Sequence, residues 1–214
     1  MQIRGVSFDM DGVIVDNHKY HFMAWMEFAY KYNYKLTSEI YRDKFNGKTN
    51  KDLFPMIFGP LTDEQIEAFS KEKEDLYKKL YIPHMAPLKG LVEYLNHLQK
   101  EGIKIALGTS APPSNVEFVL DRLDLRKFFS IIVDGTHVTK GKPDPQVYEL
   151  CAKKMGLLPS ECIVFEDSLA GLESGKRAGC VIVGVATSHK KEELSGMTDK
   201  MISDFTEARE LLGH

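Results

Sequence analysis

The chain of 214 residues has few cysteines, and they do not form a pattern. Cys151, Cys162 and Cys180 are far apart in the sequence and lack the spacing of metal ligands. Three scattered thiols cannot all pair, so a disulfide framework is excluded. We expect reduced thiols in or near a core, and therefore a cytoplasmic protein.

Long hydrophobic runs and a charge excess of one sign are also absent. No apolar stretch reaches membrane-spanning length, and a strand pattern stands where a signal peptide would lie, so neither is expected. The 28 basic and 31 acidic residues leave a formal net charge of −3. That balance attracts neither nucleic acid nor a membrane, although it still allows a local basic pocket. The mixed surface predicts a monomer.

What the chain does contain is an alternation of strand and helix patterns. Short β-branched runs predict strands, and apolar stripes of period 3.6 predict helices. The predicted strands are 3–8, 103–107, 131–133, 163–165, 181–185 and 200–202. The predicted helices are a stripe from Leu88 to Leu98 that Gly102 stops, then 115–123, 146–155, 169–178 and a terminal helix at 206–212. Strands separated by single helices predict an α/β fold with a doubly wound, Rossmann-like parallel sheet.

A long helical segment interrupts this alternation after the first strand. It is polar, rich in lysine and aromatic residues, and without a convincing strand. One helix is predicted at 20–32, and a second begins at the capping box Thr62-Asp63-Glu64-Gln65 and runs to about Leu80. Two prolines make 82–87 a linker. The predicted domains are an α/β core (1–16 and 84–214) and an inserted small helical cap (17–83).

The first strand ends in Phe8-Asp9-Met10-Asp11-Gly12, which places two carboxylates one residue apart. Such a pair is common in turns, but two close acids repel each other unless a cation or a shared proton is present. The residues after this pair lack the ligand spacing of an EF-hand calcium loop. Ligands of open α/β sheets bind at the carboxyl ends of strands, so the pair suggests metal-assisted chemistry.

Two further clusters offer groups for an anion. Thr109 and Ser110 follow strand 103–107, and a hydroxyl with adjacent backbone N–H groups can hold phosphate oxygens or simply cap a helix. Lys142 lies in the proline-stiffened run Lys140-Gly141-Lys142-Pro143-Asp144-Pro145. It could balance charge between carboxylates and a phosphate, or lie in a solvated basic turn.

The fourth cluster, Glu166-Asp167-Ser168, follows strand 163–165. Its carboxylates are the hard oxygen ligands that Mg²⁺ prefers, and the alternative is a helix N-cap formed by Asp or by Ser168. Ser168 can cap a helix without excluding a metal role for its neighbours. The shared position of the clusters near strand ends favours a single site.

Taken in order, these motifs resemble the four motifs of the haloacid dehalogenase-like superfamily. The residues that carry the resemblance are Asp9-x-Asp11-Gly12, Thr109-Ser110, Lys142-Pro143 and Glu166-Asp167. The match covers nearly the whole chain. It includes a helical cap similar to that of the β-phosphoglucomutase-like subfamily, which also contains phosphatases.

The resemblance implies a Mg²⁺-dependent enzyme that forms an aspartyl-phosphate. Asp9 is then the nucleophile, and Asp11 is the general acid and base. Thr109, with Ser110, is implied to bind the transferring phosphoryl group, and Lys142 is implied to offset its charge. The implied metal ligands are Asp9, the backbone carbonyl of Asp11, Asp167, and Glu166 directly or through water.

In the cap, the resemblance implies contacts with the rest of the substrate. The candidate residues are His21, Trp25, Gly47, Lys48, Asn50 and Lys73, with Tyr77 beside Lys73 on the long cap helix. Other readings remain open: Trp25 also fits a cap core, and both lysines also fit an exposed surface.

Several positions depart from the pattern of the mutase. Asn50 replaces an arginine, Asn17 replaces a hinge threonine, and Ala111-Pro112-Pro113 stands where the mutase has serine, lysine and asparagine. A guanidinium suits a second phosphate better than an amide does. The departures favour a phosphatase acting on a small phosphorylated metabolite, such as a sugar phosphate, over a β-phosphoglucomutase-type phosphomutase. The retained His21, Trp25 and Lys73 favour the mutase.

Two other functions are disfavoured. Hydrolytic dehalogenation by Asp9 needs neither an acid at position 11 nor the Glu166-Asp167 pair. A phospho-acceptor signalling domain would have its acceptor after a middle strand and would lack a large cap insert. Fold alone decides neither question.

Overall fold

The computed structural model describes residues 2–45 and 50–212. Within those residues, the strands are β1 (Gly5–Phe8), β2 (Lys104–Gly108), β3 (Ile131–Val133), β4 (Cys162–Glu166), β5 (Val181–Val185) and β6 (Lys200–Ile202). The α-helices are α1 (His18–Lys31), α2 (Ser38–Ile40), α3 (Asn50–Phe58), α4 (Asp63–Tyr81), α5 (Leu91–Lys100), α6 (Pro113–Arg122), α7 (Gln146–Met155), α8 (Leu169–Ala178) and α9 (Lys191–Leu194). None of these helices is long and apolar enough to cross a membrane.

The strands form one parallel sheet in the order β3-β2-β1-β4-β5-β6. This confirms the predicted doubly wound α/β fold. The chain moves outward from β1 in one direction through β2 and β3, and in the other through β4 to β6, so the order reverses at the centre of the sheet. Phe8 of β1 is in register with Leu107 of β2 and Phe165 of β4. The residues that follow these three therefore leave the sheet at the same edge.

Both faces of the sheet are covered by apolar side chains. On one face, α7 and α8 pack on Ala106, Val164 and Ile182. An aromatic cluster includes Phe8 and Phe165, whose rings stack with centroids 5.1 Å apart. Burying one such side chain contributes about 1.5–3 kcal/mol, so the cluster fixes the middle of the sheet firmly.

The chain forms two compact units, Met1–Asp16 with Ala86–His214, and Asn17–Met85. The second boundary lies two residues after the predicted one. A 3₁₀ helix, Ile82–His84, follows directly on α4 in the region predicted as a linker. The core segments on either side of the insertion are joined by a hydrogen bond from the Leu88 N–H to the Ile14 carbonyl, 2.8 Å long.

The inserted unit is helical, with an aromatic interior. Trp25, Phe28 and Phe54 are buried, and the rings of the two phenylalanines lie 5.4 Å apart. The predicted capping box is confirmed: the Thr62 hydroxyl accepts from the Gln65 N–H, and the Gln65 side chain accepts from the Thr62 N–H. Helix α3 was not predicted, and it contains Pro55, which ordinarily argues against a helix interior.

One predicted element has the wrong type, and several others have different bounds in the structure. The terminal α-helix is wrong: two 3₁₀ helices, Phe205–Glu207 and Arg209–Leu212, occupy the region, in the short pieces that are typical of this helix type. The first strand begins at Gly5 rather than at residue 3. Helix α5 begins at Leu91, because Gly90 has a φ of 78° and its left-handed backbone separates Leu88 from the helix.

Candidate active site

Three buried carboxylates meet at the carboxyl edge of the sheet. Asp9 follows β1, and its N–H donates to the Phe165 carbonyl of β4 (3.0 Å). Glu166 is the last residue of β4 and Asp167 comes next. Asp9 is 8% exposed and the other two are almost fully buried, yet one oxygen from each lies within 4.8 Å of the other two. The fold thus brings together three of the predicted metal ligands.

These three carboxylates fit a magnesium ion. Mg²⁺ prefers hard oxygen ligands and commonly uses a few carboxylates together with water and substrate oxygens. Three acids this close and this buried repel one another unless a cation offsets their charge. The donor set of Asp9, Glu166 and Asp167 therefore matches the ion that the sequence predicts.

Lys142 is inserted among these acids rather than exposed in a basic turn. Its Nζ donates to Asp9 Oδ1 (2.7 Å), to Glu166 Oε1 (2.5 Å) and to the Gly108 carbonyl (3.3 Å). The side chain is only 7% exposed. Burial lowers the pKa of Lys142, but the attraction of Asp9 and Glu166 and their hydrogen bonds outweigh it, so that the pKa is raised overall. Lys142 is therefore a fixed cation at neutral pH.

The pKa of Asp9 depends on its burial and on the charges of its neighbours. Burial raises its pKa well above the usual value, and the charges of Glu166, Asp167 and Asp11 raise it further. Lys142 acts in the opposite direction. A further cation would favour the ionised form of Asp9, which is the form that can act as a nucleophile.

Glu166 is held in place by five hydrogen bonds. Its Oε1 accepts from Lys142 and from the Tyr148 hydroxyl (2.7 Å). Its Oε2 accepts from the Asp167 N–H (3.0 Å), the Ser168 N–H (3.2 Å) and the Ser168 hydroxyl (3.1 Å). Such a carboxylate is well suited to fix the position of Lys142. Ser168 also caps α8, since its hydroxyl accepts from the Gly171 N–H (3.1 Å).

Tyr148 was not predicted as a site residue. It lies on the buried stripe of α7 with Val147 and Cys151, and Lys142 Nζ lies 4.9 Å from its ring centroid. Burial and the neighbouring Glu166 raise its pKa, so the hydroxyl stays protonated and donates. In the sequence, Tyr148 has the pattern of an ordinary core aromatic residue, and no motif distinguishes it as a site residue.

Gly171 leaves the space that the Glu166 carboxylate fills. A Cβ built at Gly171 would lie 1.8 Å from Glu166 Oε1 and 1.9 Å from its carboxyl carbon. These distances are far shorter than any real contact. Glu166 cannot swing aside without breaking the bonds to Lys142 and to the backbone.

We expect Gly171→Ala to be destabilising, although alanine in a helix ordinarily gains about 0.5–1 kcal/mol over glycine. Overpacking against Glu166 should cost about 1–3 kcal/mol. Urea denaturation measures the change. Gly141→Ala is the matched control, since no atom of the described residues lies within 4 Å of its Cβ position. Equal stability of the two variants would contradict the packing argument.

Thr109 and Ser110 lie in a tight turn at the end of β2. The Thr109 N–H donates to the Val133 carbonyl (2.9 Å), and the Thr109 hydroxyl accepts from the Ala111 N–H (3.1 Å). The N-cap of α6 is Pro112, so the alternative that Thr109 caps this helix is wrong. The Thr109 hydroxyl can still donate, and Ser110 adds a second hydroxyl and a backbone N–H, which are groups that can hold an anion.

Asp134, directly after β3, has the same sequence signal as Asp9 but contacts its own loop rather than the three carboxylates. It is buried and accepts from the Thr136 N–H (2.9 Å), the Thr136 hydroxyl (2.6 Å) and His137 Nδ1 (2.9 Å). Burial raises its pKa, but these hydrogen bonds lower it more. The next N–H, that of Gly135, donates to the Ala111 carbonyl (3.0 Å) and so ties this loop to the Thr109 turn.

Asp11 lies in a closed turn after β1. The Gly12 N–H donates to the Val15 carbonyl (2.7 Å), and the Met10 carbonyl accepts from three following N–H groups. Gly12 has a φ of 82°, a conformation that strongly favours glycine. The turn holds Asp11, which is partly buried, two residues from Asp9.

Several predicted cap residues form a polar cluster within the inserted unit. Lys73 Nζ donates to Glu74 Oε1 (2.8 Å), lies 3.3 Å from His21 Nδ1 and is 5.2 Å from the Trp25 ring centroid. Asn50 Nδ2 donates to the same Glu74 oxygen (2.9 Å). Lys73 and Trp25 are both buried, so the surface alternative for Lys73 is wrong and Trp25 belongs to the cap core.

Two of the predicted cap residues, Gly47 and Lys48, lie outside the described residues. The hinge position Asn17 donates from Nδ2 to the Tyr77 hydroxyl (2.6 Å). The Tyr77 ring stacks on His21 with centroids 3.8 Å apart. Asn17, which departs from the mutase pattern, and His21, which matches it, therefore both contact Tyr77.

Comparison with known proteins identifies the family. The model of the family described as haloacid dehalogenase-like hydrolase matches residues 6–185. The chain belongs to the haloacid dehalogenase-like hydrolase family. This confirms the resemblance found in the sequence motifs, and the match spans both β1 and β5 of the sheet.

Relatives of this haloacid dehalogenase-like hydrolase include phosphatases and a mutase. It is 33% identical over 178 residues to a phosphorylated carbohydrates phosphatase of Thermotoga maritima, covering 83% of this chain and 82% of the relative. It is 32% identical over 194 residues to the β-phosphoglucomutase of Bacillus subtilis, covering 86% and 83%. A solved haloacid dehalogenase-like hydrolase from Entamoeba histolytica superposes with a TM-score of 0.87 at 29% identity, covering 97% and 95%.

Proposed function

We propose that this protein is a Mg²⁺-dependent phosphatase that acts on a small phosphorylated metabolite, a sugar phosphate, through a phosphoryl group carried by Asp9. The observation that carries the proposal is the buried array in which Lys142 bridges Asp9 and Glu166, with Asp167 alongside. A phosphatase and a mutase of phosphorylated sugars among the relatives support the same substrate class.

Asp9, Asp167 and the backbone carbonyl of Asp11 would hold the metal ion. Glu166 would be a further metal ligand, either directly or through a water molecule. Its five hydrogen bonds already fix its carboxylate in place. When bound, Mg²⁺ supplies positive charge that favours ionised Asp9 and stabilises the charge on the transferring phosphoryl group.

The covalent steps use Asp9 and Asp11. An Asp9 carboxylate oxygen attacks phosphorus, and the bond from phosphorus to the ester oxygen breaks as Asp11 gives that oxygen its proton. A water molecule then loses a proton to Asp11 and attacks phosphorus, which breaks the bond to Asp9 and releases inorganic phosphate. Asp11 ends protonated again, so the cycle closes.

Lys142 and the Thr109 turn would receive the phosphoryl oxygens. The Lys142 ammonium is already fixed beside Asp9, so no reorganisation is needed when the negative charge arrives. The Thr109 hydroxyl, together with the hydroxyl and backbone N–H of Ser110, would complete the phosphate contacts. His21, Asn50 and Lys73 of the cap, with Gly47 and Lys48, are proposed to contact the rest of the substrate, and Trp25 packs against Lys73 from the cap core.

A phosphomutase of the β-phosphoglucomutase kind is the second candidate. The cluster of His21, Trp25 and Lys73 within the cap favours it. The pairing of Asn50 and Lys73 with the buried Glu74 carboxylate favours the phosphatase, because Glu74 partly neutralises the cation that a second phosphate would need.

The deciding experiment measures release of inorganic phosphate from a panel of sugar phosphates, with Mg²⁺ and after its removal by EDTA. We expect steady release from at least one member, complete loss without the metal, and recovery when Mg²⁺ is restored. Release that survives metal removal would contradict the proposal. Interconversion of β-glucose 1-phosphate and glucose 6-phosphate, primed by the bisphosphate, would instead support the mutase.

A further inference from the structure

We propose that Thr187 and Ser188 are positioning residues that set the spacing of the carboxylates toward Mg²⁺. They lie in the loop after β5, outside the four sequence motifs. The inference rests on the proposed metal-dependent function, and it adds two side chains that neither the motifs nor the proposed chemistry uses.

The two hydroxyls hold two different carboxylate loops. Thr187 Oγ1 donates to the backbone carbonyl of Gly12 (2.7 Å), in the turn that contains Asp11. Ser188 Oγ donates to the backbone carbonyl of Asp167 (2.8 Å). Adjacent residues therefore connect the loop after β1 to the loop after β4.

The loop that carries these hydroxyls is itself fixed to the sheet. The Ala186 N–H donates to the Ile202 carbonyl of β6 (2.9 Å), and the Thr187 N–H donates to the Val185 carbonyl of β5 (2.9 Å). Strand β5 pairs with β4 on one side and with β6 on the other. Thr187 and Ser188 are partly buried, which shields their hydrogen bonds from water.

This connection matters because the metal needs a defined ligand geometry. Mg²⁺ requires nearly ideal octahedral coordination, and Asp9 and Asp167 come from different strands. The pairing of β1 with β4 holds the two strand ends together, and the two hydroxyls hold the loops that follow them to a common support. Groups that orient metal ligands in this way typically contribute about 10- to 100-fold to metal affinity.

The test compares Mg²⁺ dissociation constants, measured by isothermal titration calorimetry without substrate, for the wild type, Thr187→Val, Ser188→Ala and the double variant. We expect the double variant to bind Mg²⁺ about 10- to 100-fold more weakly and each single variant to lie between. Thr187→Ser keeps the hydroxyl and should restore the affinity. The Mg²⁺ concentration needed for half-maximal phosphate release should shift by the same factor, while kcat at saturating Mg²⁺ recovers.

Thr198→Val and Ser130→Ala serve as matched controls, since Thr198 packs on Gly184 and Ser130 is exposed before β3. Both should bind Mg²⁺ as the wild type does. Unchanged Mg²⁺ affinity in Thr187→Val and Ser188→Ala would overturn the inference, and so would failure of Thr187→Ser to restore binding. If the double variant does not fold, the single variants decide. A wild type without Mg²⁺-dependent phosphate release would contradict the proposed function instead.

Discussion

Asp9→Asn is expected to lower the rate of phosphate release by at least about 10⁴-fold, the order of loss seen when a covalent enzyme loses its nucleophile. The amide matches the carboxylate in shape but cannot form the acyl phosphate bond. It also removes one of the three carboxylates that fit the metal. Single-turnover kinetics measure the loss of phosphate release, and mass spectrometry measures the loss of the phosphorylated protein.

The matched control for this substitution is Asp134→Asn. Asp134 is another buried aspartate that directly follows a strand of the same sheet, and it contacts Thr136 and His137 rather than Lys142. An asparagine oxygen can still accept these hydrogen bonds, so most of the activity should remain. Sustained turnover by Asp9→Asn would refute the role of Asp9 as nucleophile.

Lys142→Met should reduce both catalysis and stability. Removal of a fixed charge aimed at the transferring group typically costs about 10²–10³ in rate. The substitution also leaves Asp9 and Glu166 without their shared cation in a site where both side chains are nearly buried, which should cost about 3–5 kcal/mol. Steady-state kinetics and urea denaturation measure the two effects separately.

Lys140→Met, two residues earlier, is the control for loss of a lysine from the same loop. Its side chain is 74% exposed and lies 3.6 Å from Asp144, so the variant should keep its stability almost unchanged. Lys142→Arg keeps the charge but replaces a compact ammonium with a planar guanidinium. It should fold better than Lys142→Met and still lose activity. If Lys142→Met and Lys140→Met behaved alike, the assigned role of Lys142 would be wrong.

The sequence predicted the parts of the fold that depend on local pattern. Helices α7 and α8 have their predicted bounds because an apolar stripe ends at a glycine in each, Gly156 and Gly179, which both take the left-handed conformation. The terminal region failed because its pattern covers too few residues to decide between an α-helix and 3₁₀ turns.

The carboxylates of the candidate site could be predicted from the sequence because they lie at the ends of predicted strands. Asp9, Glu166 and Asp167 carry that signal. Asp134 carries it too, and only the structure shows that it contacts Thr136 and His137 instead. Tyr148 could not be found, since its contact with Glu166 joins two elements that are distant in sequence. The need for glycine at position 171 likewise depends on where the carboxylate of another loop lies in space.

The hydrogen bond between Leu88 and Ile14 explains how the core tolerates so large an insertion. Because the two core segments already meet at this hydrogen bond, the length of the chain between them places no strain on the strand register. The entropic cost of closing a loop also rises only slowly with the length of the loop. The inserted unit can therefore vary in length and in sequence while the strands that carry the carboxylates keep their register.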